Sequence, residues 1–173
     1  MVFKGLIVLL AAGPVWGETL TVCEVLANLS SLSGKKIEVR GVWKRGDAAQ
    51  FLEAERPCEQ PTIRDGWLWA DRINVIADQG KLSVAGYVAE RSRLLERHGG
   101  HAKIIATLSG RIETREHFEI WTDAFGVQLP RGFARLVAQL RFWSATQLVA
   151  VPYSAAELER QASESDPQPK RVK

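Results

Sequence analysis

Three histidines stand close enough in the chain to suggest proton transfer or metal chemistry: His98, His101 and His117. Imidazole titrates near neutral pH and suits zinc or copper. His98-Gly99-Gly100-His101 sets two rings around a glycine pair, with Glu96 or His117 as a third ligand. The same residues also read as a solvated helix end. That reading is adopted, so no metal is assigned; His98 and His101 are the residues that would hold one. Nucleophilic catalysis needs a nucleophile, a base and an orienting group in contact. No G-x-S-x-G occurs in the chain, and no serine motif points at the histidines. Hence no catalytic residue and no cofactor are assigned.

Binding chemistry has a second set of candidates. Arg40, Lys44, Arg111 and Arg115 fall on the polar faces of two strand-like segments. In a barrel whose first and fourth strands pair, they would form one basic patch. Trp67 and Trp69, flanking Leu68, would supply aromatic surface for a partner or a glycan. They also read as plugs for a barrel end. Glu38, Glu53 and Glu113 alternate with the basic residues, so a mixed-charge cross-strand ladder competes with the patch and is preferred. The chain has 23 Lys and Arg against 20 Asp and Glu among 173 residues. Such a balance is too even to require a nucleic acid or a membrane as partner.

Compartment bears on the cysteines. Lys4 precedes an apolar run from Gly5 to Ala12, Pro14 breaks it, and Val15-Trp16-Gly17 offers a cleavage site. This is the pattern of a secretory signal peptide over residues 1–17, cut after Gly17, and it is too short to span a bilayer. Removing it takes away Lys4 and leaves 22 basic against 20 acidic residues. No later stretch is long and apolar enough to span, so no transmembrane segment is expected in the mature chain. Cys23 could instead be a lipidation site, but Glu18 separates it from the apolar run and Val22 stands where a small residue is needed. In an exported chain, two cysteines read as one disulfide, Cys23–Cys58. The loop it closes, of about 35 residues, would give about 3–4 kcal/mol on the chain-entropy model. Localisation is expected to be periplasmic or secreted.

The elements that position these residues follow from periodicity. Val22, Val25, Leu26, Leu29 and Leu32 predict a helix over 21–32, with Thr21 and Glu24 as a capping box. Residues 36–45 alternate as a strand, with Ile37, Val39 and Trp43 inward and a bend at Gly41. Gly46-Asp47 turns it into a hairpin partner at 50–55. Residues 56–69 read as irregular, and 72–77 as a third strand. Residues 81–97 are split between strand and helix, with helix adopted from Val88 to the stop at His98-Gly99-Gly100. The longest strand is 102–115, with Ile104, Ala106, Leu108 and Ile112 inward around Gly110. Residues 119–122 extend the sheet, and 123–132 form a loop. Periodicity at 133–151 fits a helix early and a strand late. The chain after 153 starts as a helix and ends in a solvated, disordered tail.

Strand, strand, strand, helix, long strand, strand, with two glycine bends, is the order of a small OB-like five-stranded barrel. The chain divides into a signal peptide at 1–17, an OB-like domain at 18–153 and a tail at 154–173. The segments VCEVLANLSSLSGKKIEVRG, the later Cys58, TLSGRIETR and GFARLVAQL resemble a group of exported bacterial OB-like proteins of unknown function. In that group a cysteine-bearing helix leads into a GK-x-V-x-V-x-G strand, and a second cysteine follows the hairpin. The resemblance covers about residues 20–152, brings no catalytic residue, and implies that 138–151 is the final strand. The expected function is therefore an exported, non-enzymatic OB-like module that binds a protein, a glycan or an anionic ligand. Two alternatives stand beside it: a periplasmic enzyme using the His98, His101 and His117 region with Arg111 and Glu113, and a structural subunit of an envelope assembly.

Overall fold

Thr21 opens the first helix. Its hydroxyl accepts the Glu24 backbone N–H at 3.2 Å, and the Glu24 carboxylate accepts the Thr21 N–H at 2.7 Å, completing the capping box. The computed structural model describes residues 18–45, 49–78, 83–163 and 169–172. The apolar leader at 1–17 and the Gly46-Asp47 turn lie outside the described residues. A short strand, β1 (Thr19–Thr21), runs into α1 (Val22–Ala27), and a single turn α2 (Leu29–Leu32) follows after Asn28. Val22, Val25, Leu26 and Leu29 bury the helical face expected from the spacing.

Next come β2 (Lys36–Arg45), β3 (Gln50–Glu53), a small hairpin of β4 (Thr62–Arg64) and β5 (Trp67–Trp69), and β6 (Arg72–Ala77). Helix α3 (Ser83–Arg97) leads to β7 (Ala102–Thr114), a second hairpin of β8 (Ile120–Thr122) and β9 (Gln128–Pro130), and β10 (Ala138–Pro152). The chain finishes with α4 (Ala155–Ser163) and β11 (Lys170–Arg171). Strands β2, β3, β6, β10 and β7 close on themselves, since β7 also pairs with β2. All five neighbour pairings are antiparallel except β6 with β10. With α3 between the third and fourth barrel strands, the protein is mainly β and carries the expected OB-like barrel. Among the described residues, no helix is long and apolar enough to cross a membrane.

Five local expectations are corrected. The segment read as irregular holds the β4–β5 hairpin, turned by Asp65 and Gly66 at positive φ. Helix α3 begins at Ser83 rather than Val88, because Val84 in its first turn is buried and joins the core. Residues 120–122 pair with β9 instead of extending the barrel sheet. The tail is not wholly disordered: Lys170 and Arg171 pair with Leu68 and Trp67, Val172 N–H donates to the Gly66 carbonyl at 2.8 Å, and Pro169 is buried. An unpaired sheet edge at β5 is satisfied by this pairing. The ambiguous stretch before β10 is not helical either, since Ala134 and Arg135 take positive φ and Phe133 bridges to Leu136.

Alternation fills the barrel. Val39, Leu52, Ile73, Leu108, Ile112 and Leu140 are fully buried around Trp43 and Phe142, whose rings meet edge-on at 5.4 Å. Gly41 and Gly110 sit where strands approach most closely. A Cβ at Gly110 would meet the Arg141 carbonyl oxygen at 2.7 Å and Phe142 Cα at 2.9 Å. Both obstacles are backbone, which cannot swing aside as a side chain can. Gly110→Ala is therefore expected to cost about 1–3 kcal/mol in chemical denaturation. An unchanged midpoint would mean that β7 and β10 can part without loss.

Candidate functional site

The sequence-derived basic residues do not gather into one patch. Arg40 Nε lies 2.8 Å from Glu55, and Lys44 Nζ lies 2.6 Å from Glu53. Both are members of a mixed-charge ladder. Arg115 lies past the end of β7, donates to the Arg131 carbonyl at 3.1 Å and stacks over Phe133. Trp67 and Trp69 do not belong to a ligand face: both are buried, and Trp69 packs on Phe118 with ring centroids 4.7 Å apart. Their alternation about Leu68 turns both rings inward, because residues two apart on a strand share a face.

The histidines are likewise separated. His101 precedes β7 and His117 follows it, so the whole strand stands between them. His117 Nδ1 instead faces the Asp65 carboxylate at 3.4 Å, and Asp65 also accepts the Phe118 N–H at 2.9 Å. The latter bond is the main cause of the lowered Asp65 pKa. Among the described residues, no three His, Cys, Asp or Glu side chains are arranged to hold a metal ion. A cleft of about 300 Å³ beside the disulfide contains Lys44, Glu53, Arg72, Lys103, Tyr153 and Glu157. Several of its charges are paired: Glu53 faces both Lys44 and Arg72, and Lys103 bonds Glu157.

Arg111 has different neighbours. It lies opposite Lys36 on β2 and opposite Arg141 on β10. Cross-strand partners share a face at about 4.5–5.5 Å between Cβ atoms, so three cations form one row across the barrel wall. Like charges directly opposite destabilise a sheet. Glu113 answers them in part: it meets Arg141 Nε at 2.9 Å and accepts the Gln139 amide at 2.8 Å, and Asp78 adds negative charge near Arg141. Burial pushes the Glu113 pKa up, but the bonds from Arg141 and Gln139 and the Arg141 and Arg111 charges outweigh it and hold the group below its ordinary value. Glu38, two positions from Lys36, accepts the Ser109 hydroxyl at 3.1 Å. Lys36 and Arg111 form no ion pair among the described residues.

An aromatic ring borders the row. The β10 register slips between Phe142 and Ser144, and that bulge carries Trp143 on the outer face. Lys36 Nζ lies 5.9 Å from its ring centroid. Of the six residues named as a face from the sequence, Arg111 alone belongs here. Lys36 and Arg141 were missed because only strand register brings them beside it, and register is not visible in periodicity. Comparison of the chain with protein families, with curated proteins and with solved structures finds no match.

Proposed function

We propose that this protein is an exported, non-enzymatic OB-like binding module that takes an anionic ligand across the row of Lys36, Arg111 and Arg141. The observation that carries the proposal is the in-register placement of three cations, of which Lys36 and Arg111 form no ion pair among the described residues. A row built of like charges lowers its own repulsion when an anion binds, and charge-assisted hydrogen bonds then add to the gain. Export, to the periplasm or beyond, is supported by the signal-peptide pattern at 1–17. The Cys23–Cys58 disulfide is compatible with an oxidising compartment. The resemblance to exported bacterial OB-like proteins belongs to the same proposal.

Tripolyphosphate titrated into the protein and followed by backbone NMR tests it. Amide shifts are expected to concentrate at residues 35–38, 109–113 and 139–144. Arg111→Ser is expected to weaken binding about tenfold, the loss of one hydrogen bond to a charged group. Arg40→Ser, which removes a cation already paired with Glu55, should leave affinity unchanged. Shifts spread evenly over all Lys and Arg, or equal effects of the two variants, would rule out a defined site.

A further inference from the structure

We infer that the open edge of β4 is a second binding site, which takes an extended peptide bearing a carboxylate as an added strand. The site is separate from the cationic row and does not rest on it. Its first element is a pair of open backbone groups. Asp65 and Gly66, at φ 52° and 74°, make a two-residue turn between β4 and β5. Such a turn makes Arg64 and Trp67 the pair that exchanges hydrogen bonds. The next pair, Ile63 and Leu68, therefore turns its N–H and C=O groups outward, away from each other. The β5 side agrees: Leu68 pairs with Lys170, and the Val172 N–H reaches the Gly66 carbonyl at 2.8 Å. On the β4 side the Ile63 N–H and C=O have no partner among the described residues. The Ile63 side chain is itself 49% exposed.

Space for a strand lies along this edge. A cleft of about 390 Å³ is lined by residues 26–31, from the end of α1 into α2, and by residues 60–64. No residue of β5 lines it, so it lies on the open side of β4. Arg64 joins its two walls: Nη1 donates to Ser30 Oγ at 3.0 Å, while Nη2 donates to the Arg115 carbonyl at 3.2 Å.

The chemistry of the walls selects the occupant. The same sheet already accepts an added strand on its other side, where β11 pairs antiparallel with β5 through two residues only. A peptide laid antiparallel on β4 exchanges both backbone bonds with Ile63 and sets its preceding residue opposite Arg64. Among the described residues, Arg64 is the one charged side chain lining the cleft, and it forms no ion pair. Asp65 adjoins it, but that carboxylate accepts the Phe118 N–H and faces His117. Glu24, on the helix side, is held by the Thr21 N–H and hydroxyl. A carboxylate on the peptide is the group that completes Arg64. A second copy of this chain, paired edge to edge at Ile63, would set Thr62 opposite Arg64 and leave the charge unanswered.

Backbone NMR titration tests the inference with an acetylated, amidated pentapeptide of valine, glutamate, valine, threonine and valine. Amide shifts are expected at residues 26–31 and 60–64, and the Ile63 amide should gain protection from hydrogen exchange. Glutamine in place of the peptide's glutamate should weaken binding about tenfold, the loss of one hydrogen bond to a charged group. Methylating the nitrogen of the central valine, the donor to the Ile63 carbonyl, should abolish binding. Arg64→Gln should erase the preference for glutamate over glutamine, a ratio that survives any general loss of stability. Arg111→Ser should bind the peptide as the parent does. No shifts at millimolar peptide, shifts centred on Lys36, Arg111 and Arg141, or binding indifferent to the methyl group or to glutamate would each overturn the inference. So would Ile63 protection that rises with protein concentration in the absence of peptide, which would give the edge to a second copy.

Discussion

Trp43→Ala is expected to remove about 3–5 kcal/mol of stability. Trp43 is 1% exposed, lies against Phe142 inside the closed barrel, and carries the Arg91 guanidinium 5.8 Å from its ring centroid. Barrel strands held by hydrogen bonds on both sides cannot collapse into the space an indole leaves, so the cavity persists. Arg91 is itself buried, and its Nε donates to the Trp43 backbone carbonyl at 3.1 Å. That bond survives the substitution, but the ring that shields the charge does not. Trp43→Phe should behave differently. The indole Nε1–H is buried with no acceptor among the described residues. Deleting an unsatisfied buried donor recovers about 1–3 kcal/mol, against a similar loss from the smaller ring, so the net change is expected within about 1 kcal/mol. Urea unfolding of the two variants checks both halves. Equal losses would mean that the Nε1–H is satisfied in solution.

The second large effect is expected from Cys23→Ala with Cys58→Ala: a loss of about 3–4 kcal/mol, or about 10 °C in melting temperature. The bridge joins α1 to the segment after β3 across 35 residues, with the two Cα atoms 5.4 Å apart. Little else fixes that segment. Cys58 N–H donates to the Asp71 carboxylate at 3.0 Å, and Ala54 N–H to the Asp71 carbonyl at 3.1 Å. Since α1 also covers the barrel with Val22 and Val25, loosening the bridge reaches the core. Thermal melts with and without reductant, compared with the double variant, check the value. A drop of under about 1 kcal/mol would show that the unfolded chain gains little freedom from losing the link.

The barrel was legible in the sequence where alternation is strict and uninterrupted. Ile37 and Val39, then Ile104, Ala106 and Leu108, mark two strands, and the glycines at 41 and 110 mark their bends. Cys23 and Cys58 identified their own bridge once an exported chain was assumed. Short elements were less visible. Strands of three residues such as β1, β4 and β5 have too few positions to show a period. Their existence depends on partners distant in the chain, as Lys170–Arg171 does on β5. The candidate site was the least legible part. Arg111 stood out by parity alone, but Lys36 and Arg141 join it through two registers that no single segment encodes. Trp143 faces outward beside them through a bulge that shifts the β10 register.

The pairing of Lys170 and Arg171 with β5 has a practical side. A strand edge left open invites another chain to add to it, and such addition propagates into fibres. Here Lys170 and Arg171 fill the position on one side of β5, with two positive charges on the outermost strand to discourage a further layer. Replacing them, or a protease that removes them, would reopen the β5 edge to addition by another chain.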